Sequence, residues 1–494
     1  MVETSTLRLN RPAILSLALL AAIAVQGCGG SGSEANAVPG PPAAALTEVK
    51  VAGTTPMSAT PVDLAAAGYV AREFYAEGKA NRYAGVGGGA PGFAGGASLQ
   101  TATVLDGGWA YRTRVMVRTP AREKFNGTLV VEWTNVTVGA DFEFANAEAS
   151  KYLLREGYAV AVVSAQRVGV ERLKTWSPTR YAGLSVDVNA CGADGTPATT
   201  GTSLCAGDPL SFDIFTQVTQ ALKQNAGGSS APMPGLVVED VIAIGQSQSA
   251  FRLQSYYNSI QPLAGVINGF AYWDMSNQLR SDQRVPAISV QSEAFAVLIG
   301  QWTTSEFTRR WDVAGSTHAS LYGSQYIDAI VARDQSIIGP AGPISFTQWV
   351  QPTCTTLPPF TTVDVGLVFS NAIDAVRRWV RTGAPAAPSI NFERDASGAL
   401  VRDADGRVLG GIRLAQFTAP IAEQKAPNGT AFPCSISGWH RDYTPSELKS
   451  IYGDHGNYVA QVTNAMVKAA TDGYILAADA VAAIRDAENS DVAK

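Results

Sequence analysis

Val241-Ile242-Ala243-Ile244-Gly245-Gln246-Ser247-Gln248-Ser249 is the stretch on which the fold turns. Val241–Gly245 is short and apolar throughout, which reads as a strand buried on both faces. From about Ser249 to Ser259 the spacing turns helical, so a tight turn of small residues joins strand to helix. The alternation repeats in both directions. Towards the N-terminus lie a helix over Phe212–Gln224, an almost wholly apolar strand over Tyr158–Ser164 and a helix over Ala145–Arg155 that stops at Gly157. Before them come a strand over Gly127–Trp133 and an alternating one over Tyr111–Val117. Towards the C-terminus, Gly265–Tyr272 and Val285–Val290 continue the pattern. Buried strands alternating with helices predict an α/β fold, a mostly parallel central sheet with helices on both faces. Sites in such sheets sit beyond the carboxyl ends of the strands.

Ser247 occupies that position. The context is that of a nucleophile elbow, G-x-S-x-G between a strand and a helix, where only small flanking residues permit the tight turn. Gly245 fits, and Ser249 replaces the usual second glycine. The helix N-terminus beneath adds a dipole that favours a developing oxyanion. The pentapeptide alone proves little, because Gly29-Gly30-Ser31-Gly32-Ser33 also matches G-x-S-x-S but follows no strand.

A serine nucleophile needs a base, and the base needs an orienting carboxylate. Sites built on such an elbow run nucleophile, acid, histidine along the chain. All three histidines, His318, His440 and His455, follow Ser247. His318 lies in a loop entered at Gly315 from a short strand, where a loop-borne base belongs, whereas His440 and His455 fall in capping and loop sequence. Five carboxylates lie between Ser247 and His318: Asp274, Asp282, Glu293, Glu306 and Asp312. Glu293 ends the strand after next from the nucleophile strand and is the expected acid, with Asp274, at the end of the intervening strand, in reserve. The oxyanion hole should use the backbone N–H of Gln248 and that of Asn135 or Val136 in the loop after Leu129-Val130-Val131-Glu132-Trp133. Trp176 and Tyr181 are expected by position as pocket walls.

Several segments together resemble a bacterial family of alpha/beta hydrolase domain proteins, many of them exported esterases. They are VEWTNV (131–136), LKTWSPTRYAGLS (173–185), SFDIFTQ (211–217), GQSQSA (245–250), VPAISVQSE (285–293), WDVAGSTHA (311–319), RRWVRTGAPAAPS (377–389) and RDADGRVLGGIRL (402–414). The resemblance spans roughly residues 100–490. It implies the α/β-hydrolase fold and a hydrolase triad of Ser247, Glu293 and His318. The reading taken from the residues is a serine hydrolase that cleaves carboxylic esters through an acyl-enzyme, with no metal or organic cofactor required. Where the family leads one to expect a second acidic residue after the glutamate, Ala294-Phe295 stand instead. Two other readings stay open: the same triad cleaving a β-diketone or an amide, and a surface-binding lipoprotein with an idle site.

Composition agrees with a large core: 46% hydrophobic, 16% charged, mean hydropathy +0.04. The net charge of −5, with no long basic run, argues against a nucleic-acid partner. Arg8 and Arg11 precede an apolar run from Ala13 to Val25, too short to span a bilayer readily and typical of a secretory signal. Its ending, Val25-Gln26-Gly27-Cys28, resembles a bacterial lipoprotein signal. That resemblance implies removal of residues 1–27, a lipid on Cys28, and an exported chain anchored to the cell envelope, with Gly29 rather than Asp pointing to the outer membrane. Residues 28–45 have the composition of a flexible Gly/Ser/Pro/Ala tether, leaving 46–494 as one domain. Setting Cys28 aside leaves four cysteines in an exported chain, Cys191, Cys205, Cys354 and Cys434; of the three possible pairings, Cys191–Cys205 with Cys354–Cys434 is the one expected.

Residues 320–494 exceed what a minimal fold of this kind needs and read as an elaboration packed against the sheet and over the site. It should contain a helix over Asn371–Val380, a hairpin over Ile390–Leu414 turning at Asp403-Ala404-Asp405-Gly406, and helices near 456–470 and 475–488. The Asp-x-Asp-Gly run lacks the other carboxylates of a calcium loop and reads as a plain turn.

Overall fold

Strands that are apolar on both faces form the middle of a nine-stranded sheet. In chain order they are β1 Ala45–Glu48, β2 Tyr69–Ala84, β3 Thr103–Pro120, β4 Thr128–Trp133, β5 Ala159–Val163, β6 Asp240–Gln246, β7 Gly269–Trp273, β8 Ala287–Ser292 and β9 Thr308–Val313. Their spatial order is β1-β2-β3-β5-β4-β6-β7-β8-β9. β5, β4, β6, β7, β8 and β9 run parallel, and β1, β2 and β3 extend one edge antiparallel. The computed structural model describes residues 40–86, 98–188 and 208–494. Gly40–Lys494 cluster as one unit. Residues 1–27, Cys28, Cys191 and Cys205 lie outside the described residues. The folded body begins before the expected end of the tether: Ala44 is buried and donates its N–H to Gln217 O at 3.0 Å, and Ala45 pairs with Glu77.

Alternate residues of each central strand feed two cores, one on each face of the sheet. Leu129, Val131, Trp133, Val241 and Ala243 point to one, and Val130, Ile242, Ile244, Ile288 and Val290 to the other. The first is closed by helices over Ser211–Gln224 and Gln248–Ser255 and by the chain before β2. The second is closed by helices over Phe144–Arg155 and Gly366–Thr382 and by much of the C-terminal elaboration. Glu132 on β4 accepts the N–H groups of Ala145 and Asn146 at 2.9 and 2.8 Å, tying the first turn of the 144–155 helix to the sheet. Among the described residues no helix is long and apolar enough to cross a membrane.

The elaboration also protects the edge strand. Ile390 and Ile412 bridge in parallel to Trp311 and Val313 of β9, covering backbone groups that would otherwise template association. Between them the chain makes two tight turns, at Asp395–Gly398 and at Asp403–Gly406, where a single hairpin was expected. At the second turn Asp403 Oδ1 accepts the N–H groups of Asp405 and Arg407, the hydrogen bonding of a plain turn. Cys354 and Cys434 are joined in a disulfide, as expected.

Candidate active site

Ser247 has φ 55° and ψ −122°, a strained conformation for a residue with a Cβ. Three local features hold it. Its N–H donates to Trp273 O of β7 at 3.0 Å. A Cβ on Gly245 would lie 3.1 Å from both Ala250 N and Ser249 C, so glycine is needed for the helix to pass this close to the strand. Ser249 does more than fit: its hydroxyl donates to Gln246 O and accepts from Gln246 N, both at 2.9 Å, stitching the turn shut.

His318 lies beyond β9 after Gly315, whose φ is 74°. Its N–H donates to Ile436 O at 3.0 Å, and its carbonyl accepts Gln246 Nε2 at 2.9 Å and Trp273 Nε1 at 2.8 Å. Phe295 stacks on the imidazole with centroids 4.9 Å apart. The backbone and one ring face are therefore fixed by groups from β6, β7, the segment after β8 and the elaboration.

The carboxylate on this imidazole is Asp274, not Glu293. Asp274 follows β7 directly, has φ 55°, is fully buried, and brings Oδ2 to 2.6 Å from His318 Nδ1. Ser292, at the end of β8, orients it: its N–H donates to Oδ1 and its hydroxyl to Oδ2, each at 2.6 Å. Glu293 begins a short helix that Ser292 caps, and its side chain is bound elsewhere, to Arg402 Nη1 and the N–H of Gly315 at 2.7 and 2.8 Å. Burial pushes the Glu293 carboxyl above its ordinary range, and the Arg402 guanidinium opposes that shift.

The loop after β4 separates the two oxyanion candidates. The N–H of Asn135 donates to Phe142 O at 2.9 Å and is not free to stabilise an oxyanion, which corrects that expectation. Its side-chain amide instead holds Gln246 O at 2.9 Å. The N–H of Val136 faces the elbow, 3.4 Å from Gln248 Oε1, a long and replaceable contact. Gln248 is the first residue of its helix, so its own N–H has no intrahelical acceptor.

Ser247 and His318 line one cleft. Its other walls come from the loop after β4, Phe144, the helix Phe346–Val350, Phe360 and residues 432–437. Trp176 and Tyr181 are not among them, contrary to expectation. The segment after β5 folds into helices that turn away from the cleft, where Trp176 Nε1 donates to Asp334 O at 2.8 Å. Tyr181 is fully buried and donates to Glu73 Oε1 at 2.7 Å. His440 and His455 also lie off the cleft, with Nδ1 at 3.0 Å from Phe360 O and 2.8 Å from Val492 O respectively.

A family model described as alpha/beta hydrolase domain matches residues 38–485. The chain belongs to that family. Among curated proteins none matches this chain. Solved structures similar to parts of it include a Bacteroides fragilis protein assigned as an acetyl xylan esterase (12% identity, 47% of this chain and 48% of that one, TM-score 0.25). Another is an alpha-beta serine hydrolase homologue from Coxiella burnetii (11%, 42% and 84%, 0.24). A third is Candida antarctica lipase A in its closed state (9%, 47% and 41%, 0.21). The chain thus spans about half the length of the first of them.

Sequence reasoning passed over Ser292, Gln246 and Trp273, which hold the acid and the histidine backbone. Each sits at the carboxyl end of a strand, and that position was the one signal available. It also passed over Glu148, whose carboxylate accepts the N–H and hydroxyl of Ser320 at 3.0 and 2.6 Å, two residues beyond His318.

Proposed function

We propose that this hydrolase cleaves carboxylic esters through an acyl-enzyme, with Ser247 as nucleophile, His318 as general base and acid, and Asp274 orienting the imidazole. The observation that carries the reading is the buried 2.6 Å Asp274–His318 pair, whose imidazole shares a cleft with a strained, elbow-borne serine. With Nδ1 turned to the carboxylate, Nε2 is left to take the serine proton. Ser247 Oγ then bonds to the carbonyl carbon, and the carbonyl oxygen becomes an oxyanion. Protonated His318 returns the proton to the leaving alkoxide as the C–O bond breaks. Water, deprotonated by the same imidazole, releases the acid and restores the serine. The N–H groups of Gln248 and Val136 are the oxyanion donors of this scheme, and substrate would displace the Gln248 amide oxygen from Val136. Losing one such donor typically costs ~10²–10³ in kcat.

The same reading extends to location: an exported enzyme held to the cell envelope by a lipid on Cys28. The Cys354–Cys434 disulfide supports an oxidising compartment. Radiolabelled palmitate incorporation that disappears in Cys28→Ala is the outcome expected; label retained in the variant would refute it.

The decisive assay of the chemistry is hydrolysis of a p-nitrophenyl acyl series by residues 40–494, wild type beside Ser247→Ala. The variant should lose ~10³-fold or more in kcat. Equal rates in both proteins would remove Ser247 from the mechanism.

A further inference from the structure

Among the described residues, the cleft beside Ser247 has no Asp, Glu, Lys or Arg in its lining, and its polar lining groups sit at the elbow, the histidine, the loop after β4 and Ser437. Its remaining surface is apolar: Val138, Ala319, Val350, Pro433 and Ile436, and five rings that contact one another. Phe346 lies 5.1 Å from Phe144, 6.1 Å from Trp349 and 6.2 Å from Phe360, the last two stacked at interplanar angles of 15°. Trp349 meets Phe432 edge-on at 5.8 Å. An ionised group brought here would lose hydration and find no counter-charge, at a cost far above that of a neutral one. A planar apolar group would gain ring contacts on several sides.

This wall is assembled before any substrate arrives. A capping box fixes the start of the Phe346–Val350 helix: Ser345 N donates to Gln348 Oε1 at 2.9 Å, and Gln348 N to Ser345 Oγ at 3.0 Å. Thr347 donates its hydroxyl and N–H to Asp328. The disulfide Cys354–Cys434 and the side chain of Asn428, which spans Thr355, Thr356 and Gly438, join the two wall segments. Ile436 O holds the N–H of His318, so wall and imidazole share one frame. Rings ordered in advance bind a flat group without further ordering cost, and so select for it.

We propose that the natural substrates are neutral esters carrying an aromatic or similarly flat apolar group next to the scissile bond, with Phe346 and Trp349 setting that preference. The proposal rests on the ester-hydrolase reading above. The test is a pH-stat series of ethyl acetate, ethyl benzoate, phenyl acetate and 4-carboxyphenyl acetate, each kcat/KM divided by the ester's rate constant with hydroxide. At least one neutral aryl ester should exceed ethyl acetate by about 10–100-fold, the range expected for burying one ring. The anionic ester should fall at least ~10-fold below phenyl acetate. Trp349 is half-buried, so Trp349→Arg supplies a counter-charge at the wall and should lower the ratio of phenyl acetate to 4-carboxyphenyl acetate at least ~10-fold. Hydrolysis with no aryl preference, or with the anionic ester cleaved as fast as the neutral one, overturns this proposal and leaves the ester reading standing. Failure to cleave any of the four esters overturns both.

Discussion

Asp274 and Glu293 stand at the carboxyl ends of neighbouring strands, and what each touches separates them. Asp274→Asn keeps the shape but removes the charge that fixes the imidazole tautomer, so kcat for ester hydrolysis should fall by ~10⁴. Glu293→Gln breaks a pair with Arg402 and should cost roughly 1–3 kcal/mol in denaturant unfolding, while kcat stays within about tenfold. The reverse pattern would return the acid role to Glu293. Strand-end position made both visible in the sequence, but strand order alone could not rank them. Glu293 opens a helix behind Ser292, where a carboxylate serves the helix N-terminus. The residue that discriminates is Ser292, whose donors aim at Asp274 through a register no linear pattern displays. Glu148 supports a pH prediction. Burial, with Asp364 and Asp274 nearby and only the two Ser320 donors opposing, pushes its carboxyl up to about 7. A raised carboxyl stays protonated in the folded protein after the unfolded chain has lost the proton. Its stabilisation is therefore full below about pH 4.5 and fades as pH rises to about 7. Glu148→Gln cannot ionise, so its stability relative to wild type should climb by roughly 1–3 kcal/mol between pH 5 and pH 8. Parallel denaturation curves at the two pH values would contradict this.

The strands β4 to β8 were legible because burial on both faces demands unbroken apolar runs, which turn residues then bound. β2 was not. Its sixteen residues carry Arg72, Glu73, Glu77, Lys79 and Arg82, a composition that does not look like a strand. The charges are tolerated because partners come from distant segments: Glu48 for Arg72, Arg180 for Glu73, Arg112 for Glu77 and Asp106 for Arg82. No local window contains those partners. The wall segments 346–360 and 428–437 were hidden for a similar reason, since they become one surface only after the chain returns across 80 residues to close Cys354–Cys434. Closing a loop of that length is worth ~4 kcal/mol by the chain-entropy model. The double variant Cys354→Ser, Cys434→Ser should therefore unfold several degrees below wild type in a thermal scan. A matched melting temperature would mean that the hydrogen bonds of Asn428 hold the wall without the covalent link.

Across the whole molecule, the elaboration after His318 divides into two parts with different duties. Residues 346–437 supply the cleft wall and the covered edge of β9, whereas the helices Pro445–Tyr452, His455–Thr471 and Ala477–Asn489 contribute no residue to the cleft. What those helices supply is the outer half of one core. Val462, Met466 and Ile475 are buried with Phe369, Ile412 and Leu414. Tyr474 meets Trp311 of β9 edge-on at 5.4 Å, and Asn371 donates to Gly473 O at 2.8 Å. Each large apolar side chain so buried contributes ~1.5–3 kcal/mol, and Tyr452, Tyr458, Val462, Met466, Tyr474 and Ile475 together contribute on the order of 10 kcal/mol. That is comparable with the whole stability of an ordinary domain, about 5–15 kcal/mol. A chain ending at Tyr443 keeps Ser247, Asp274, His318 and every wall residue, yet it exposes Leu414, Phe417 and the outer face of the 366–382 helix. It should lose cooperative unfolding by circular dichroism, bind a hydrophobic dye and aggregate, so the proposed activity vanishes through the fold rather than through the site. A soluble truncated chain with a sharp thermal transition would mean that the second core closes at Ala419, and that the three terminal helices serve some purpose other than stability.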